Sequence, residues 1–213
     1  MPTINGRVCV VNGTPVDKVF SNGRQVYGRN LLINTSSSAT NGYTMMPVAG
    51  TPMDIFGVYT RTDSYEQVLA DSSVEFYYRF MPPKQSNLYG LTPGETYTLS
   101  GSVSHISGEL DFRSQYSTDG INWNDLGKPG VSSINGKNLG IPVSDGSVFT
   151  PFSYTFTIPV GATGIYLSLE NYDYTVGSLF RFKNMKLEKG SVATPWTPAP
   201  EDVIFLCMQR YAI

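Results

Sequence analysis

The residues of this chain whose types and spacing could do chemistry are aromatic, guanidinium, amide and carboxylate groups set two positions apart. Asp111, Arg113 and Gln115 alternate with Phe112 and Ser114, so in an extended strand their side chains form one row on one face. A row of mixed donors and acceptors suits a ligand covered in hydroxyls. Tyr77 and Arg79 make a similar row opposite Phe76 and Tyr78, and an Arg beside a Tyr can stack and donate hydrogen bonds together. Trp123 follows the Asp119-Gly120 turn signal, where a loop can hold a flat ring against the C–H face of a pyranose. Tyr172 and Tyr174 follow a strand pattern and precede Gly177, which places two amphipathic rings in a loop. Each of these has an ordinary structural alternative: a core Trp, a solvated strand face, or simple loop packing.

The sequence carries no signature of catalysis. His105 is the sole histidine, and its neighbours Ser104 and Ser107 make no nucleophile elbow. Glu75, Asp111, Glu170 and Glu188 are available carboxylates, but no spacing singles out the pair a glycosidase needs. The glycines form no phosphate loop or dinucleotide fingerprint. No Cys/His cluster has zinc spacing. The expectation is a protein without catalytic residues, metal or cofactor, and not an enzyme.

Composition narrows the partners. Charged residues make up 15% of the 213 and the formal net charge is -2, with no basic run. A nucleic-acid binder needs a Lys/Arg footprint to release counterions from phosphates, so nucleic acid is not expected. An anionic membrane surface is disfavoured for the same reason, and the longest apolar stretches are too short to span a bilayer. Met1–Gly6 carries no apolar leader core. Cys9 and Cys207 lie near opposite ends. They are expected to be reduced thiols packed as small hydrophobes, with a disulfide as the alternative.

Three zones must position the candidate residues. Residues 1–28 are short apolar pieces punctuated by Asn5-Gly6, Asn12-Gly13 and Asn22-Gly23, the dipeptides that favour type I′ hairpin turns. Val8–Val11 and Lys18–Phe20 are the expected strands of this leader, which is too small to bury a core of its own. Residues 29–191 show no long helical period. Short alternating runs recur instead, over Val74–Phe80, Tyr97–Ile106, Leu110–Ser117, Phe152–Ile158, Ile165–Glu170 and Leu179–Glu188. Period two with one apolar face predicts half-buried antiparallel strands. Many such strands between turn signals predict an all-β fold, a β-sandwich of jelly-roll type with a small hairpin-rich leader. Leu126–Thr150 reads as a long Gly- and Ser-rich loop. Residues 192–213 begin as a Pro-rich extended exit with Trp196 as its anchor, and Val203–Tyr211 reads as a short helix or edge strand.

At this point a resemblance enters. Gly28-Arg29-Asn30-Leu31-Leu32-Ile33-Asn34-Thr35 resembles the opening of modules in tail proteins of phages of Gram-positive bacteria. Phe182–Ser191 followed by Ala193–Asp202 is similar to their closing strand and exit. Leu91-Thr92-Pro93-Gly94-Glu95-Thr96-Tyr97-Thr98-Leu99-Ser100 resembles the central strand of jelly-roll carbohydrate-binding modules of families four and nine. Ile4–Gly23 looks like a leader preceding such modules in lactobacillus phage distal tail or baseplate proteins. The resemblance implies a non-catalytic module that recognises host cell-wall polysaccharide during adsorption, resident in the virion tail or baseplate after assembly in the host cytoplasm. Its implied partners are that polysaccharide and other tail proteins, and repeated copies would add avidity. A structural or assembly domain that binds protein is the alternative. Related modules often hold a calcium through an acidic residue of the last strand; here that strand reads Phe182-Lys183-Asn184-Met185.

Overall fold

The computed structural model of the chain describes residues 3–4, 7–8, 10–11, 14–15, 19–21, 24–33, 35, 46–47, 54–62, 64–69, 77–81, 86–108, 110–126, 133–135, 141–170 and 177–202. Its N-terminal part is a series of two-stranded antiparallel ladders. These pair β1 (Thr3–Ile4) with β2 (Arg7–Val8), β3 (Val10–Val11) with β4 (Thr14–Pro15), and β5 (Val19–Ser21) with β6 (Arg24–Tyr27). The innermost partners are Ile4 with Arg7, Val11 with Thr14 and Ser21 with Arg24. They bracket the three Asn-Gly dipeptides that the sequence marks as turn signals. A fourth ladder joins β7 (Leu32–Ile33) to β8 (Met46–Pro47).

Two larger antiparallel sheets form a β-sandwich of jelly-roll type. The first contains β10 (Val58–Arg61), β11 (Glu66–Leu69), β19 (Leu179–Lys189), β13 (Thr96–Ser107) and β17 (Thr150–Thr157), adjacent in that order. The second runs β15 (Asn124–Asp125), β14 (Asp111–Ser117), β18 (Gly164–Glu170), β12 (Tyr77–Met81) and β9 (Asp54–Phe56), and β16 (Ser133–Asn135) also pairs with β14. We call them the β13 sheet and the β18 sheet after one interior strand of each.

Alternation decides what lies between them. Tyr78, Phe80, Phe112, Leu167 and Leu169 point inward from the β18 sheet, and Val68, Leu99, Val103, Phe180, Phe182 and Leu187 from the β13 sheet; each is at most 2% exposed. Rings lock the layers: Tyr78 meets Phe182 edge-on at 4.8 Å, and Phe112 meets Phe152 at 4.5 Å between centroids. Burying each such side chain stabilises the fold by about 1.5–3 kcal/mol. A Cβ at Gly101 would collide with the Met185 sulfur, so β13 needs glycine at that point of the core. Glu66 is buried against the core. Glu66 accepts from the Tyr59 hydroxyl at 2.7 Å and the Tyr78 hydroxyl at 2.9 Å, and burial pushes its carboxyl above the usual range.

Two sequence expectations change in the structure. Ile165–Glu170 reads as half-buried, yet every residue of β18 is buried. The strand is central, and side chains of β14 and β12 close over its polar side. Leu126–Thr150 reads as a loop without pattern, yet it contributes β16, Ile141 enters the core, Val143 bridges to His105 of β13, and the following residues pass over the outside of the β13 sheet. Ser144 N–H donates to His105 O at 2.7 Å, and Arg181 Nη1 donates to Gly146 O at 3.0 Å. The Pro-rich exit is held down by hydrogen bonds. Thr194 donates from its N–H and hydroxyl to Glu188 at 2.7 Å each, and Lys186 donates to Thr194 Oγ1 and Pro195 O. Trp196 Nε1 donates to Thr35 Oγ1 at 3.1 Å, and Asn30 ties Leu32, Thr35, Met185 and Leu187 together. His105 is a buried histidine, 1% exposed, with Nε2 at 2.7 Å from Gly108 O.

Candidate functional site

The outer face of the β18 sheet gathers most of the candidate residues. With Tyr78 and Phe112 turned inward, Tyr77, Arg79, Asp111, Arg113 and Gln115 must point outward. Register places them in three rungs. Gln115 stands opposite Tyr166, Arg113 and Arg79 flank Ser168, and Asp111 and Tyr77 flank Glu170. Residues distant in sequence thus become neighbours because β18 runs between β14 and β12.

Glu170 organises the face. It is 0% exposed and accepts from Arg113 Nη1 at 3.1 Å, from the Tyr166 hydroxyl and from the Ser168 hydroxyl. Arg79 Nε then donates to the Tyr166 hydroxyl at 3.1 Å. Its guanidinium carbon sits 3.4 Å above the centre of the Tyr77 ring and 5.5 Å from that of Tyr166; Arg113 lies 5.9 Å from the same Tyr166 ring. A buried carboxylate would be costly alone, and here charge-assisted hydrogen bonds compensate it. The result is a platform of alternating rings and guanidinium planes whose side chains are fixed before any ligand arrives.

Trp123 closes one end. It is half-buried and meets the Tyr166 ring edge-on at 6.4 Å. Two local features hold it. Asp119 accepts from the N–H groups of Ile121 and Asn122, the Asn122 amide and the Ser117 hydroxyl, which fixes the preceding turn. These donors hold the Asp119 carboxyl far below the usual carboxylate range. Gly164 supplies the space on the other side, since a Cβ there would come within 3.2 Å of Trp123 Cη2. Ile121 at the turn is 79% exposed beside it.

The candidates do not contribute equally. Tyr77, Arg79, Arg113, Gln115 and Trp123 remain partly accessible. Asp111 is 3% exposed, flanked in register by Glu170 and Asn135, and lies beneath the accessible row rather than in it. Gln115 Nε2 donates to Asp125 Oδ1 at 3.3 Å. Tyr172 and Tyr174 lie outside the described residues, as do Glu75, Cys9, Cys207 and Val203–Tyr211. Tyr166, Ser168 and Glu170 were not singled out from the sequence. Their signal was the polar half of the Ile165–Glu170 alternation, which becomes a site only when its neighbours are known. Among the described residues no three His, Cys, Asp or Glu side chains cluster as metal ligands, and position 184 of the last strand is an exposed Asn at φ 54°.

No sequence-family model matches the chain, and no curated protein matches it. Comparison with solved structures finds similar architectures at low identity. A family 4 carbohydrate-binding module is 13% identical with a TM-score of 0.41, over 65% of this chain and 78% of that one. A family 16 module is 18% identical with a TM-score of 0.41, over 74% and 99%. The tripod from the baseplate of bacteriophage Tuc2009 is 17% identical with a TM-score of 0.45, over 82% of this chain and 59% of that one.

Proposed function

We propose that this chain is a non-catalytic carbohydrate-binding module of a phage tail protein, and that it recognises host cell-wall polysaccharide through the outer face of the β18 sheet. The observation that carries the reading is the Glu170-centred platform, with Trp123, Tyr77, Arg79, Arg113 and Gln115 accessible on it. Sugars offer apolar C–H faces and a rim of hydroxyls. Rings meet the first, while planar guanidinium and amide groups meet the second. Because the buried network already fixes the rotamers, little side-chain entropy is lost on binding. The tail setting rests on the resemblance of both ends of the chain to phage modules, and the role in the virion follows from it.

The absence of bond cleavage is part of the proposal. Asp111 and Glu170 are the carboxylates this face brings side by side, and Glu170 is engaged by Arg113, Tyr166 and Ser168 as an acceptor. A general acid must lie within hydrogen-bond reach of the leaving oxygen, and Glu170 is 0% exposed beneath the face. Titration calorimetry with purified host wall polysaccharide tests the reading: saturable binding without release of reducing ends is expected. Failure to bind walls of every susceptible strain would reject it, and release of reducing ends lost in Asp111→Asn would replace it with a glycosidase.

A further inference from the structure

The opposite side of the sandwich carries a second group of rings and cations that the proposed site does not use. Arg181 and Lys183 alternate with the core residues Phe180 and Phe182 along β19, so both point outward from the β13 sheet. The Arg181 guanidinium carbon lies 4.7 Å from the centre of the Tyr65 ring, and Lys183 Nζ lies 4.0 Å from that of Phe149. The two rings stand 6.0 Å apart, tilted by 36°. All four side chains are half-buried, open to solvent on one side.

The electrostatics of this group are one-sided. Arg181 donates to Gln67 Oε1 at 2.9 Å and to Gly146 O at 3.0 Å, both neutral acceptors. Among the described residues neither Arg181 nor Lys183 has a carboxylate partner. The nearby Asp145 turns its carboxylate to the N–H and hydroxyl of Ser147. Four other cations among the described residues have carboxylate partners: Arg113 has Glu170, Lys186 has Glu188, Lys189 has Glu95 and Arg29 has Glu201. In a chain of formal net charge -2, two adjacent cations left unanswered on one strand face mark a site for an anion. The position is also built. Residues 144–149 fold over the sheet to deliver Phe149, and a Cβ at Gly146 would strike Ile106 Cδ1 at 2.8 Å and Arg181 Nη1 at 2.9 Å, so that approach depends on glycine at φ 90°.

We infer that Tyr65, Phe149, Arg181 and Lys183 form a second saccharide-binding surface, selective for anionic units of a hydroxylated polymer such as phosphodiester-linked or uronate-bearing chains. The rings take the apolar faces and the cations take the oxyanions. The site is independent of the β18-sheet platform and extends the proposed function to a polymer with charged repeats. Phosphate and carboxylate present the same chemistry here.

The test uses the whole chain and defined hexamers: glycerol phosphate, galacturonate and uncharged glucose. Binding is followed by NMR titration and calorimetry at two salt concentrations. Lys183→Gln removes a charge whose nitrogen holds no other group among the described residues, and Phe149→Leu, which removes the ring but keeps bulk, is the second variant. The expected result is about tenfold weaker binding of at least one charged hexamer by Lys183→Gln, with a shallower salt dependence. Binding of glucose hexamer should not change, and Trp123→Ala should not alter the charged hexamer's shifts at Phe149. Absence of binding by both charged hexamers, or an unchanged affinity in both variants, overturns the inference while leaving the first face to be judged by Trp123→Ala. Equal affinity for an oligothymidylate of the same length would show a general anion patch and overturn the saccharide assignment.

Discussion

The outer faces of the two sheets start from the same period-two pattern and end as different surfaces. On the β13 sheet the outward positions of β13 and β17 are mostly Thr and Ser, and two rungs pair hydroxyl to hydroxyl: Thr96 with Thr157 at 2.8 Å and Thr98 with Thr155 at 2.9 Å. Loops lie over both ends of that face, residues 144–149 at one and the Pro-rich exit at the other. On the β18 sheet the outward positions are long and charged or aromatic, and one buried carboxylate links three strands. On the first face the β13–β17 hydroxyls satisfy one another rung by rung through local pairs. The second is satisfied only as a unit, so it is rigid, and a change at its centre should spread to every rim residue.

The comparison predicts its own sharpest break. Glu170→Gln removes the charge that Arg113 faces while leaving shape intact. Loss of one partner of a buried ion pair costs about 3–5 kcal/mol, less here because the Arg113 side chain is 21% exposed. We expect chemical denaturation to show a loss near ~2–3 kcal/mol together with loss of saccharide binding. The matched change on the other sheet, Thr98→Val with Thr155→Val, should cost no more than about 1 kcal/mol and leave binding to the β18 face unchanged. Equal losses in the two variants would refute the contrast. Next in size is Trp123→Ala. The ring is half-buried against Tyr166, so the thermal midpoint should fall modestly, while saccharide affinity should fall by about 2 kcal/mol, roughly thirtyfold.

What the sequence made legible follows the same division. Local chemistry was readable: three Asn-Gly dipeptides are bracketed by the innermost pairs of three ladders, and the alternation of Phe152, Phe156 and Ile158 against Ser153, Thr155 and Thr157 is the observed burial. The rows at Tyr77–Arg79 and Asp111–Gln115 were readable as rows. That they share one surface was not, because only the insertion of β18 between β14 and β12 makes Ser168 the common neighbour of Arg79 and Arg113. Central burial hid Glu170 for the same reason. Polar alternation looks alike on an edge strand and on a covered one, and strand order is a long-range property that periodicity does not encode. The docking of residues 144–149 escaped notice too, since its tie to the sheet is made by Ser144 and by a glycine carbonyl rather than by an apolar run.

Two smaller predictions concern how Trp123 is held. Gly164→Ala places a methyl 3.2 Å from Trp123 Cη2, which pushes the ring off the platform without removing it. Affinity should weaken by about 1 kcal/mol, a few-fold, with Trp fluorescence shifted and the fold retained. Asp119 acts through pH. Its donors depress the folded carboxyl below its unfolded value, so its contribution to stability is present above about pH 4 and disappears as pH falls through the lower folded value. The difference in thermal midpoint between the parent and Asp119→Ala should therefore be constant from pH 8 to pH 5 and shrink only under stronger acid. If that difference instead faded near neutrality, the turn would not be held by an ionised Asp119, and Trp123 would owe its position to Tyr166 and Gly164 alone.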